Sequence, residues 1–112
     1  MQNWKDTLNE LRTNATTLAE ANPEVIKAFS SLNQSLHKSR HLDAKTRELI
    51  ALAVAVTTRC EGCIASHASS ARKAGATKEE VAEALGTAIT LNAGAAYVYS
   101  TKVMEAFEQF DG

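Results

Sequence analysis

The chain has 112 residues and a formal net charge of -1, with 12 basic side chains against 13 acidic ones. That balance lays down no basic footprint for nucleic acid. The length suits one domain, residues 1–112, with a modest core. Apolar residues make up 45% of the chain but aromatics only 5%, and abundant alanine suits closely packed helices better than a β-sandwich.

The first residues, MQNWKDTLNELR, are mixed in charge and lack the apolar stretch of a secretory leader, so the expected compartment is the cytoplasm. The longest apolar run, residues 49–56, is far shorter than the roughly 20 residues a membrane span requires. One proline and five glycines leave little room for turns, and the chain reads as helix almost throughout. A first helix is predicted over about Asn3 to Ala19, with Trp4, Leu8, Leu11, Ala15 and Leu18 at helical spacing. Asn22-Pro23-Glu24 is a start signal: a capping side chain, a proline at the first helical position, and an acid in the positive first turn. This second helix carries Val25, Ile26, Phe29, Leu32 and Leu36 and fades into the polar HKSRH.

Asp43 is the next expected N-cap. The helix after it, about Ala44 to Thr57, is apolar on nearly all sides from Leu49 onward and should be central. A fourth helix opens near Cys60 and stops at Gly75, after Arg72 and Lys73. Thr77 to Glu80 forms a T-x-x-E capping box that starts a fifth. Asn92-Ala93-Gly94 is expected to interrupt it before a last helix ending near Phe110. The fold class is therefore all-α, about six helices in a single compact domain. Trp4, Phe29, Phe107 and Phe110 are expected in the core. The small residues Gly86, Ala88, Gly94, Ala95 and Ala96 would let helices approach closely, either within the chain or between subunits.

The stretch CEGCIASH, Cys60 to His67, holds both cysteines. In the cytosol such a pair is more often catalytic, redox-sensing or metal-binding than a permanent crosslink. With Cys60 opening a helix, Cys63 at i+3 and His67 four residues on line one face. The free N–H groups and dipole of the helix start stabilise a thiolate, as does a nearby imidazolium. Residues i and i+3 of a first turn are also close enough for a disulfide, and so small a ring is expected to be easily reduced again. His67 can serve Cys63 as base or proton relay. Glu48, a carboxylate entering an apolar helix, is the candidate to orient it. A zinc site is the rival reading: Cys60, Cys63 and His67 offer three ligands, with His37, His41 or Glu48 as a fourth. Against it, structural zinc pairs usually sit on turns that wrap the ion, whereas this pair opens a helix.

A glutamate, eleven residues, then C-x-x-C-x-x-x-H is the pattern of ELIALAVAVTTRCEGCIASH, Glu48 through His67. It resembles the carboxymuconolactone decarboxylase superfamily, specifically its AhpD-like alkylhydroperoxidase branch, and the following ARKAGATKEEVAEAL is similar as well. The resemblance implies an all-α fold and a thiol-dependent peroxidase. By that analogy Cys63, deprotonated through His67 and Glu48, attacks a hydroperoxide, and Cys60 condenses with the resulting sulfenic acid to a disulfide. It further implies no bound cofactor or metal, an external dithiol donor (a lipoyl protein or a thioredoxin-like one), and a homo-oligomer, trimer or hexamer. A general dithiol oxidoreductase or redox sensor is the alternative activity. Spacing alone does not decide which cysteine attacks first: the helix start favours Cys60, the relay Cys63. The founding enzyme has a histidine between its cysteines where this chain has Gly62.

Overall fold

The computed structural model describes residues 2–38 and 40–110. Among these residues five α-helices follow one another: α1 (Trp4–Ala21), α2 (Pro23–Ser35), α3 (Ala44–Thr58), α4 (Glu61–Lys73) and α5 (Lys78–Gln109), with a 3-10 turn at Leu36–Lys38 after α2. The all-α expectation is what is seen, and local chemistry accounts for most of the boundaries. Asn3 caps α1 by accepting from the N–H groups of Lys5 and Asp6. Asn22 caps α2, with Pro23 in its first turn, and Asp43 Oδ1 accepts from the Thr46 N–H at 2.8 Å. At α5 the capping box is closed in both directions, Thr77 N–H to Glu80 Oε1 at 2.9 Å and Glu80 N–H to Thr77 Oγ1 at 3.1 Å.

α3 is the centre, packed against both α4 and α5, while α1 rests on α4 and α2 on α1. The buried residues are Leu52, Ala55, Ala65, Ala71 and Ala88; alanine at these positions lets the helices sit close. α3 ends at Arg59, held in the left-handed conformation (φ 57, ψ 44), and the Cys60 N–H reaches back to Ala55 O at 3.1 Å. This Schellman-type reversal places an arginine where glycine is usual, and it turns the chain so that α4 runs back along α3. α4 closes in the same way at Gly75 (φ 87), where the Ala76 N–H bonds Ala71 O at 3.0 Å.

Two expectations are corrected. Asn92-Ala93-Gly94 does not interrupt the chain: α5 continues for 32 residues, about 48 Å at 1.5 Å per residue. The Asn92 amide is satisfied without breaking the helix, donating to Ala88 O at 2.7 Å and to Thr57 Oγ1 of α3 at 2.9 Å. Nor are the aromatics core residues. Trp4 and Phe29 are exposed, and Phe107 and Phe110 are 75% and 88% accessible, because α5 runs out past the α3–α4 pair and residues 91–110 are all exposed.

The exposed area is 9172 Å², against about 6,000 Å² expected for a compact monomer of this mass. The radius of gyration is 18.7 Å, against about 13 Å. Of the small residues, only Ala88 is buried against the rest of the chain; a Cβ placed on Gly86 or Gly94 would meet nothing within 4 Å.

Candidate active site

Cys60 is the N-cap of α4, with extended backbone (φ -99, ψ 100), and Cys63 stands in the first turn. The two are joined as a disulfide with Cα atoms 5.2 Å apart, and Cys60 Sγ accepts from the Cys63 N–H at 3.1 Å. Both sulfurs therefore lie at the positive end of the α4 dipole, where unpaired N–H groups favour an anion once the bridge is opened.

One turn further along α4, His67 Nδ1 lies 2.7 Å from Glu48 Oε2. Their side chains are 32% and 19% exposed, so the contact is partly screened from water. Glu48 occupies the second turn of α3, and the Arg59 reversal sets that turn opposite His67. An ionised carboxylate on Nδ1 holds the proton there and leaves Nε2 as the basic nitrogen. His67 and Cys63 both line a cavity of about 450 Å³ whose walls include Leu36, Leu42, Ile50 and Val54, with Arg47 and Thr58 also contributing. A larger groove of about 730 Å³, between α1 and the α4–α5 corner, contains neither cysteine and lies away from this chemistry.

All four residues singled out in the sequence thus meet in one place: Cys60 and Cys63 bonded to each other, His67 bonded to Glu48, and Cys63 sharing a cavity with His67. His37 and His41, offered as fourth zinc ligands, stand exposed in the connection between α2 and α3. Among the described residues no three His, Cys, Asp or Glu side chains converge in a metal-sized cluster.

Sequence reasoning missed two features. Arg47, Ile50, Ala51, Val54 and Thr58 fall at helical spacing on one face of α3, a pattern that could have marked them as one wall of a site. Gly62, which differs from the founding enzyme's histidine, has a packing reason: a Cβ there would come within 3.2 Å of Leu11 Cδ2. A glycine between the cysteines leaves room for the Leu11 side chain of α1 at the start of α4. No local signal in the sequence announces that contact.

The profile of the carboxymuconolactone decarboxylase family matches residues 23–106. An uncharacterised protein of Haemophilus influenzae is 51% identical over 104 residues, 93% of this chain and 92% of its own length. Uncharacterised protein 4 in the cox locus of Paracoccus denitrificans is 37% identical, over 84% of this chain and 85% of its own. The apo crystal structure of a carboxymuconolactone decarboxylase family protein from Legionella pneumophila superposes with a TM-score of 0.75 at 38% identity, covering 97% of each chain. A Methanobacterium thermoautotrophicum structure gives 0.71 at 31% identity, covering 77% of this chain and 97% of that one.

Proposed function

This chain belongs to the carboxymuconolactone decarboxylase family, and we propose that within it the protein is an AhpD-like, thiol-dependent hydroperoxide reductase. The observation that carries this reading is the Glu48–His67 pair at 2.7 Å beside a cavity that also holds Cys63. A disulfide alone would serve a crosslink. A disulfide at a helix start, with an oriented imidazole lining the same cavity as Cys63, suits a cycle.

In that cycle the reduced pair meets a hydroperoxide, ROOH. The Cys63 thiol gives its proton to His67 Nε2, and the thiolate attacks the terminal peroxide oxygen. The O–O bond breaks, RO⁻ takes the proton back from His67 and leaves as the alcohol, and Cys63 becomes a sulfenic acid. The Cys60 thiol then attacks the Cys63 sulfur, water departs, and the Cys60–Cys63 disulfide is formed. An external dithiol, lipoyl or thioredoxin-like, returns two electrons and two protons. No bound cofactor is needed. The cycle requires a compartment that keeps such donors reduced, and we propose the cytoplasm; among the described residues no helix is long and apolar enough to cross a membrane.

The working unit we propose is a homo-oligomer, a trimer or hexamer. About 3,000 Å² of exposed area beyond the compact-monomer expectation is of the order that a large obligate interface removes. Along α5 and its C-cap Phe110, Gly86, Ile89, Ala93, Ala96, Ser100, Val103, Phe107 and Phe110 recur at a seven-residue period, all on the exposed side. Such a stripe is suited to a helix from a second copy.

The deciding experiment is peroxide consumption with a dithiol donor, comparing the wild type with Cys63→Ser. Turnover that disappears in the variant supports the reading. A wild-type disulfide that cycles with dithiols but consumes no peroxide would make this a general dithiol oxidoreductase.

A further inference from the structure

We infer that the cavity beside Cys63 selects hydroperoxides that carry a carboxylate on an apolar body, and that Arg47 is the residue that binds the carboxylate. The inference rests on the peroxidase reading for the reaction, but the binding site it names stands on its own geometry.

The cavity of about 450 Å³ is within the range of small-molecule sites. Its walls are aliphatic, from Leu36, Leu42, Ile50 and Val54, and among the described residues no aspartate or glutamate lines it. Apart from His67, whose Nδ1 is taken by Glu48, Arg47 is the one basic group on its lining among the described residues. The Arg47 guanidinium spends one donor on Leu42 O, Nη1 to oxygen at 2.6 Å, and among the described residues it forms no ion pair within 4 Å. Of the two acids near it in sequence, Glu48 is bonded to His67, and Asp43 accepts from the Thr46 N–H and feels the Arg47 charge without forming an ion pair with it. A half-buried guanidinium with donors to spare at the edge of an apolar cavity is suited to a carboxylate, which it can hold by two parallel bonds. Lys38 and Arg40 are exposed in the connection between the two cavity-lining leucines and add to the positive charge of that segment.

Position then follows from helix geometry. Arg47 is next to Glu48, which faces His67, and Cys63 lies one turn from His67, about 6 Å along α4 toward the Arg59 reversal. Ile50 and Val54 follow Arg47 on the same face of α3, the latter about 10 Å along the axis. A carboxylate on Arg47 lays its hydrocarbon over Ile50 and Val54 and carries a peroxide on that hydrocarbon to the sulfur. A fatty-acid hydroperoxide has this form; hydrogen peroxide and small neutral hydroperoxides gain nothing from Arg47.

The test has two arms on the full-length protein. In the first, the oxidised protein, which cannot react with peroxide, is titrated calorimetrically with decanoate and with 1-decanol, for wild type, Arg47→Gln and Arg47→Lys. Decanoate is expected to bind the wild type at least tenfold more tightly than the alcohol, with the ratio falling to near one in Arg47→Gln and partly restored in Arg47→Lys. In the second, the reduced protein is mixed with linoleic acid hydroperoxide or its methyl ester, and the first thiol oxidation is followed. The acid is expected to react at least tenfold faster, again with the ratio lost in Arg47→Gln. Equal binding of acid and alcohol, a ratio untouched by Arg47→Gln, or no binding of either because another copy covers the cavity would each overturn the inference. Selective decanoate binding with no oxidation by either peroxide would uphold the Arg47 site and remove the peroxidase reading.

Discussion

Glu48 and His67 are 19 positions apart in the chain and meet at 2.7 Å, Oε2 to Nδ1, across the seam between α3 and α4. The contact decides which imidazole nitrogen is left to work. With Nδ1 turned to the carboxylate, only Nε2 can accept a proton from the cavity side, where Cys63 stands. If His67 takes that proton, His67→Ala and Glu48→Gln are expected to slow the first oxidation at neutral pH by about 10²–10⁴-fold, the usual range for a positioned acid or base. The deficit should narrow as pH rises and hydroxide substitutes for the base. The measurement is the pH–rate profile of that step, with circular dichroism to show that both variants fold. Profiles superimposable on the wild type would leave the helix start as the only activator of the thiol.

A second expectation concerns Gly62. A Cβ at this position would stand 3.2 Å from Leu11 Cδ2, so a histidine there must displace the Leu11 side chain from the start of α4. Gly62→His is expected to lower stability by about 1–3 kcal/mol, the usual cost of overpacking. Adding Leu11→Ala should recover part of that loss, because the two changes share one contact. Urea unfolding of the four proteins in the cycle measures it; strictly additive losses would mean that Leu11 does not feel the new ring.

The α5 stripe has its own test. Val103 and Phe107 are exposed in the single chain, so carboxylates there should cost the isolated helix little. Between copies the same charges would be buried without partners. Val103→Asp combined with Phe107→Asp is expected to bring a multimeric mass in light scattering down to 12.0 kDa with helicity largely kept. A wild type that is already monomeric at micromolar concentration would rule out the assembly.

Acid stability should report on Glu80. Its carboxyl is held below its ordinary value of 4.5, first by the hydrogen bond from Lys45 and then by the Thr77 N–H, with Lys45 Nζ at 2.8 Å. Lys45 is correspondingly raised above 10.5, chiefly by the same bond. A depressed carboxyl contributes stability that is present above its unfolded value and disappears as pH falls through the folded one. The raised lysine loses its share as pH climbs through its folded value. The stability gap between wild type and Glu80→Gln should thus be widest between about pH 5 and 10 and close at lower pH. Urea midpoints across that range would show it, and a gap constant down to pH 3 would mean that the charge of Glu80 does no stabilising.

Much of this was readable before any coordinates. The starts at Asn22-Pro23 and Thr77, the glycine stop at Gly75 and the Cys60–Cys63–His67 face each depend on bonds or spacings that close within a few residues, and chain-local chemistry specifies them whatever the rest of the protein does. Asn92-Ala93-Gly94 misled because its local preference is weak, and one long-range bond, from the Asn92 amide to Thr57, accompanies a helix that runs straight through it. The aromatics misled for a related reason: an apolar stripe states that a face will be buried, not whether its own chain or another copy buries it. The same limit governs the site. Glu48 was legible as a carboxylate in need of a partner, but its meeting with His67, the opening of Arg47 toward the same cavity and the passage of Leu11 over Gly62 depend on how α1, α3 and α4 are rotated against one another. That rotation is set by how Leu52, Ala55, Ala65 and Ala71 pack, a property of the assembled helices and of no single segment.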